Sequence, residues 1–146
     1  MPYLRRVTLV CLWLFASLCA PEALAAEPLE PGDGAAVRLV IEKQLAAFAA
    51  DDAEKAFSFA SPKIQEMFVT ARNFLDMVRI SYPVVYRPAG LSFQVPYLQG
   101  NEVWQAVGMR DAKGGDWTAL YNLVRQSDGV WRINGCVLRR GSGQGV

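Results

Sequence analysis

The sequence WTALYNLVRQSDGVWRINGCVL, residues 117–138, carries the clearest secondary-structure signal of the chain. In residues 117–125 and again in residues 130–138, side chains alternate with a period close to two. The Ser-Asp-Gly sequence at residues 127–129 is typical of a tight turn. Two alternating runs around a short turn predict an antiparallel β-hairpin, so the end of the domain is expected to be a sheet.

The alternation also predicts which side chains of this hairpin share a face. Trp131, Ile133 and Val137 fall on one face of the second strand, and Tyr121 falls on the matching face of the first. Cys136 falls on the opposite face of the second strand. These assignments depend on an unbroken period, because a shift of one residue reverses every side chain.

The sequence before the hairpin predicts further strands and then helices. Residues 92–97 and 102–110 alternate and predict two more strands. Upstream, apolar residues recur every three to four positions, as in amphipathic helices, over residues 37–50, 53–59, 62–68 and 72–81. Helices followed by strands predict an α+β domain, in which the helices lie on one face of a curved antiparallel sheet.

Composition divides the chain into four segments. Residues 1–25 have the pattern of a cleaved signal peptide, and residues 26–36, with two Pro and two Gly, predict a flexible linker. The single α+β domain is predicted over residues 37–138. Residues 139–146 contain three Gly and predict a disordered tail.

The N-terminal segment predicts export. Arg5 and Arg6 precede an uncharged run over residues 7–18, which is shorter than the about 20 residues that a membrane-spanning helix needs. The Ala-Leu-Ala sequence at residues 23–25 offers small side chains to signal peptidase. We therefore expect cleavage after Ala25, a periplasmic location and no membrane span in the mature form. The alternative is an uncleaved N-terminal anchor.

The composition excludes several classes of function. The 146 residues include no His, which excludes His-dependent catalytic triads and His-rich zinc sites. The formal net charge is +1, so the chain lacks the basic surface that neutralises nucleic-acid phosphates. We predict no metal, no cofactor and no nucleic-acid partner.

An ordered series of motifs in the chain resembles a known family. The motifs are Gln44-Leu45-x-Ala47-Phe48, Ala60-Ser61-Pro62, Tyr86-Arg87-Pro88, Trp117-x-Ala119-x-Tyr121 and Asp128-Gly129-x-Trp131-Arg132-Ile133-x-Gly135-Cys136. Over residues 37–138 they resemble a family of exported bacterial proteins known only as a domain of unknown function. That family is similar to the nuclear-transport-factor-two-like superfamily, which includes ketosteroid isomerases. The resemblance implies a cone-shaped fold with a pocket between helices and sheet, but no established activity.

Polar side chains within apolar stretches are the candidate pocket residues. Gln44 interrupts the apolar stripe of the first helix, so its amide either bonds to neighbouring backbone or points into a pocket. Tyr82 and Tyr121 combine an apolar ring with a hydroxyl that needs a partner, which suits a core or a pocket equally.

Arg87 and Cys136 complete the set of candidates. Arg87 lies between Tyr86 and Pro88 at a bend, where a guanidinium either binds an anionic ligand or pairs with a surface acid. Cys136 is the only Cys after residue 25, so it is either a buried inert thiol or a redox or dimer contact.

Three functions are compatible with these residues. The first is a non-catalytic periplasmic module whose apolar pocket binds a small apolar ligand or a periplasmic protein. The alternative is an acid-base enzyme resembling an isomerase or dehydratase, with Asp76 as the base and Tyr82 or Tyr121 as the donor, which requires an inward-facing Asp76. The third is a homodimer through an exposed sheet face, which gel filtration showing only monomer would contradict.

Overall fold

The computed structural model describes residues 29–141 as helices followed by an antiparallel sheet, which confirms the predicted α+β class. The predicted signal peptide lies outside the described residues. The helices are α1 (Asp33–Ala49), α2 (Ala53–Ser58), α3 (Pro62–Phe68), α4 (Ala71–Ser81) and α5 (Pro83–Tyr86). The strands are β1 (Gly90–Phe93), β2 (Tyr97–Gln99), β3 (Glu102–Arg110), β4 (Asp116–Arg125) and β5 (Trp131–Arg140).

The short helices begin at side-chain caps that the sequence contains. Asp52, Ser61 and Thr70 each accept a hydrogen bond from a backbone N–H in the first turn of α2, α3 and α4, respectively. Pro62 follows Ser61 at the first position of α3, where its missing N–H costs nothing. These caps explain why three separate helices form within about thirty residues.

The predicted linker over residues 26–36 is wrong in its last four residues, because α1 begins at Asp33. The Asp33 carboxylate accepts hydrogen bonds from Arg125 at 3.1 Å and from the Trp131 indole at 3.3 Å, and it is buried. These contacts join the first turn of α1 to β4 and β5. Tertiary contacts thus favour helix in a segment whose glycines disfavour it.

The sheet has the strand order β1-β3-β4-β5, with β2 beside β1 along β3, and all pairs are antiparallel. The predicted hairpin is present as β4 and β5. The single strand expected over residues 92–97 is instead divided into β1 and β2, since Pro96 has no N–H to donate. The buried Gln105 side chain donates to the Gln94 carbonyl at 2.7 Å within this interruption.

A β-bulge at Asn134 reverses the side-chain pattern in the second half of β5. Leu123 is paired with Ile133, but the preceding Asn122 is paired with Gly135, so Asn134 is an extra residue. Two predictions based on unbroken alternation are therefore wrong. Val137 faces outward and is 51% exposed, whereas Cys136 faces inward, on the side of Trp131 and Ile133.

The bulge lies where β5 contacts the connection between α2 and α3. Ser61 donates its backbone N–H to the Ile133 carbonyl at 2.8 Å, and Ile133 donates to the Phe59 carbonyl at 2.9 Å. The Ser61 hydroxyl also bonds to Asn134 Oδ1 at 2.8 Å. The helical connection therefore covers part of the free side of this edge strand.

The helices pack on the inner face of the sheet and enclose the core. Ile41 and Phe48 of α1 belong to one buried cluster with Val107 of β3 and Leu123 of β4, and all four are nearly inaccessible. The predicted tail is wrong in its first two residues, because β5 continues to Arg140. Within residues 29–141, no helix has the length and apolarity needed to cross a bilayer.

Candidate functional site

A pocket of about 250 Å³ lies between the helices and the inner face of the sheet. Helices α1, α3 and α4 and strands β4 and β5 all contribute to its wall. Four of the five candidate residues lie on it, namely Gln44, Tyr82, Tyr121 and Cys136. The remaining wall is mainly apolar and includes Phe48, Ile64, Phe68, Phe74, Met77 and Val78.

Gln44 both bonds to neighbouring backbone and lies at the pocket, the two alternatives that its sequence position left open. Its Nε2 donates to the Ala56 carbonyl at 3.1 Å, so the amide joins α1 to α2, and the residue is buried. The same side chain lines the pocket. One of its N–H donors is therefore bonded to the backbone, and the residue also lies at the pocket wall.

Tyr121 and Cys136 are directly opposite each other on β4 and β5, and both face the pocket. The Tyr121 hydroxyl is buried and has no hydrogen-bond partner among the described residues. Burial raises the pKa of this hydroxyl well above its usual value, and the adjacent Cys136 thiol raises it further. Tyr121 therefore keeps its proton and presents a neutral donor.

The Cys136 thiol is expected to be unreactive in this position. Burial raises its pKa to about 12, and the neighbouring Tyr121 hydroxyl offsets only part of that rise. A thiolate is the reactive form, and at pH 8 only about one thiol in ten thousand is ionised at such a pKa. This environment favours the inert thiol over the redox contact.

We expect iodoacetamide to alkylate Cys136 about 100-fold more slowly in the folded protein than in urea at pH 8. The reason is the raised pKa, because an unfolded Cys has a pKa near 8.5 and is partly ionised at this pH. Mass spectrometry of timed samples measures both rates. Equal rates in the folded and unfolded protein would contradict a desolvated thiol.

Tyr82 lies at the end of α4 and faces the same pocket. Its hydroxyl donates to the Cys136 carbonyl at 3.5 Å, a long hydrogen bond that joins the helical layer to β5. Tyr82 is partly buried against the core. Tyr82 therefore joins the helices to β5 and also lines the pocket.

Arg87 does not line the pocket, so its prediction as a pocket residue is wrong. Its guanidinium pairs with Asp51 at 3.0 Å and lies over the Tyr86 ring at 4.9 Å, on the surface. Tyr86 also donates to Asp51, and this bond, followed by the charges of Arg87 and Arg79, lowers the pKa of Asp51. The cluster ties α5 to the end of α1.

Asp76 points into solvent, which contradicts its predicted role as a catalytic base. Its carboxylate lies 3.2 Å from Arg72 and 4.0 Å from Arg79 on the exposed side of α4. The three residues form a surface ladder of charges. The acid-base enzyme hypothesis thereby loses its base.

Helix α3 contributes to the pocket, which the sequence did not predict. None of the residues of this helix is buried, yet Ile64 and Phe68 line the pocket on one side. The helix ends at Val69, whose φ of 66° and ψ of −44° form a γ-turn in which Thr70 donates to the Phe68 carbonyl at 2.7 Å. A β-branched residue is strained in this conformation.

The comparisons with known proteins give a family but no activity. No curated protein matches the chain significantly. Among solved structures, the crystal structure of an NTF-2-like protein of unknown function from Silicibacter pomeroyi DSS-3 is similar to it, with 17% identity and a TM-score of 0.47. The similarity covers 73% of this chain and 94% of that chain.

The family resemblance predicted from the motifs is confirmed. Residues 31–146 match the family described as domain of unknown function DUF4864. The match contains every element from α1 to β5 and every residue of the pocket. The chain belongs to the DUF4864 family.

Proposed function

We propose that this chain is an exported binding module that holds a small apolar molecule in the pocket between its helices and its sheet. The observation that carries the proposal is the pocket itself, a mainly apolar space of about 250 Å³ with a wall supplied by six separate elements, α1, α3, α4, α5, β4 and β5. Most small-molecule sites are concave, largely apolar and lined by a few polar groups.

The size of the pocket limits the ligand. Apolar cavities of about 150 Å³ bind benzene, whereas drug-sized ligands occupy pockets of about 300 Å³ or more. A space of about 250 Å³ therefore suits a molecule built on one ring or a short hydrocarbon chain.

The proposed periplasmic location rests on the N-terminal sequence. Arg5 and Arg6, the uncharged residues 7–18 and the Ala-Leu-Ala sequence at residues 23–25 support export and cleavage after Ala25. The intact mass of protein recovered from a bacterial periplasm tests this, and a mass that retains the first 25 residues would contradict it. The periplasmic protein partner and the homodimer stay predictions.

Binding is tested with cumene, a one-ring hydrocarbon, against two tryptophan variants of α4. Met77 lines the pocket and is partly exposed, whereas Ile80, one turn further along the same helix, is 81% exposed. We expect Met77→Trp to fill the pocket and to weaken cumene binding at least tenfold. Ile80→Trp adds the same side chain outside the pocket and is expected to leave the affinity within twofold of wild type.

Isothermal titration and thermal unfolding with and without cumene give the two readouts. A ligand that binds only the folded state raises the unfolding temperature as its concentration exceeds Kd. Wild type and Ile80→Trp are expected to show this rise, and Met77→Trp is not. Absence of any effect of cumene on the wild-type protein, or an equal effect on all three proteins, would contradict the proposed pocket.

A further inference from the structure

We propose that the ligand of this pocket carries an oxygen acceptor, such as a carbonyl, which receives a hydrogen bond from the Tyr121 hydroxyl. The inference rests on the proposed function, since it assigns the chemistry of one point in the proposed binding pocket. It turns a site for any apolar molecule into one that selects small ketones, esters or alcohols over hydrocarbons.

The other polar side chains that line the pocket already have hydrogen-bond partners in the protein. Gln44 donates to the Ala56 carbonyl, and Tyr82 donates to the Cys136 carbonyl. Among the buried side-chain nitrogen and oxygen atoms of residues 29–141, Tyr121 Oη is the one that lacks a partner. Buried polar groups are nearly always hydrogen-bonded, so such an atom needs an explanation.

The Cys136 thiol is the polar neighbour that acts on the Tyr121 hydroxyl, and no nitrogen or oxygen atom of residues 29–141 bonds to this hydroxyl. The side chain opposite is Cys136, and a thiol is only a weak hydrogen-bonding group. A buried water normally needs two to four polar neighbours, and the wall nearby is dominated by rings and aliphatic side chains. A polar atom that enters the pocket with an apolar ligand fits this position better than a water molecule does.

The protonation state of Tyr121 determines which kind of ligand atom can bond to its hydroxyl. The hydroxyl is neutral in its buried environment, so it keeps its proton and can donate a hydrogen bond to an acceptor. An anionic carboxylate is disfavoured because the pocket wall has no cationic side chain among its lining residues. A neutral oxygen on an apolar body remains as the expected ligand group.

Two probes of similar size separate this inference from the proposed function. In acetophenone, a carbonyl oxygen replaces one methyl group of cumene and the hydrogen on the carbon that carries it. Both are titrated into wild type and Tyr121→Phe, with affinities measured by isothermal titration. We expect wild type to bind acetophenone about tenfold more tightly than Tyr121→Phe does, since one hydrogen bond to an otherwise unpartnered donor is lost. Cumene is expected to bind both proteins within twofold.

The stability of the variant shows whether a loss of binding reflects the hydroxyl or the fold. Tyr121→Phe removes an unpartnered buried group, so its unfolding temperature without ligand is expected to equal or exceed that of wild type. Equal acetophenone affinities of the two proteins, with cumene bound by both, would overturn the inference and leave the apolar pocket standing. Failure of both probes to bind wild type would overturn the proposed function and the inference together.

Discussion

Phe74→Ala is expected to lower the free energy of unfolding by about 3 to 5 kcal/mol, the range typical of a buried Phe removed from a core. Phe74 is 7% exposed and its ring contacts those of Phe48, Phe57 and Phe68, with centroid distances of 5.8, 5.4 and 5.5 Å, respectively. These contacts join α4 to α1, α2 and α3. The substitution therefore removes the side chain that all four helices share.

The matched control for this prediction is Ile80→Ala on the same helix. Ile80 is 81% exposed, so its truncation is expected to change the free energy of unfolding by no more than about 0.5 kcal/mol. Urea unfolding followed by tryptophan fluorescence measures both variants. A loss below about 1 kcal/mol for Phe74→Ala would show that the aromatic cluster contributes little to stability.

Insertion of one Ala between Gly135 and Cys136 is expected to cost at least about 3 kcal/mol, because it moves every later residue of β5 one place along the strand. With the added residue, alternation turns Cys136 and Leu138 from the inner face of the sheet to solvent and turns Val137 inward. Each apolar side chain that loses its burial costs about 1 to 2 kcal/mol.

Asn134→Ala is the control that keeps the bulge. It removes the hydrogen bond between the Ser61 hydroxyl and Asn134 Oδ1 but preserves the number of residues in β5. We expect a loss of about 1 kcal/mol for this substitution. Urea unfolding compares the two variants, and an insertion variant as stable as Asn134→Ala would contradict the assignment of Cys136 and Leu138 to the inner face.

The order of elements and most of their bounds were predictable because the signals are local. Ser61 and Pro62 start a helix through their own side chains, and the Ser-Asp-Gly turn closes the hairpin between β4 and β5. These features act over a few residues. A reader of the sequence therefore finds them without knowledge of the tertiary structure.

The start of α1 was not predictable, since it depends on distant contacts. Asp33 bonds to Arg125 and Trp131, which lie 92 and 98 residues further along the chain. The local sequence, rich in Pro and Gly, predicts a linker instead. The helix forms because these contacts outweigh the local preference.

The candidate site was predicted in part, and the bulge explains part of what was missed. Gln44, Tyr82, Tyr121 and Cys136 all line the pocket. Residues 136–138 read Cys-Val-Leu, all apolar, so alternation gives no indication of which of them faces inward. Arg87 lies outside the pocket and pairs with a surface acid, which is one of the two alternatives that its sequence position left open. The sequence did not identify this acid, because Asp51 lies 36 residues away and meets Arg87 only in the folded chain.

The covered edge of β5 bears on how copies of this protein behave at high concentration. An unpaired edge strand is a template for edge-to-edge association, which leads to aggregation. Here Ile133 bonds on that side to the connection at Phe59 and Ser61, and the bulge interrupts the regular spacing of backbone groups beyond it. The bulge that turns Cys136 toward the pocket thus also shortens the free edge of β5 with which a second chain could pair.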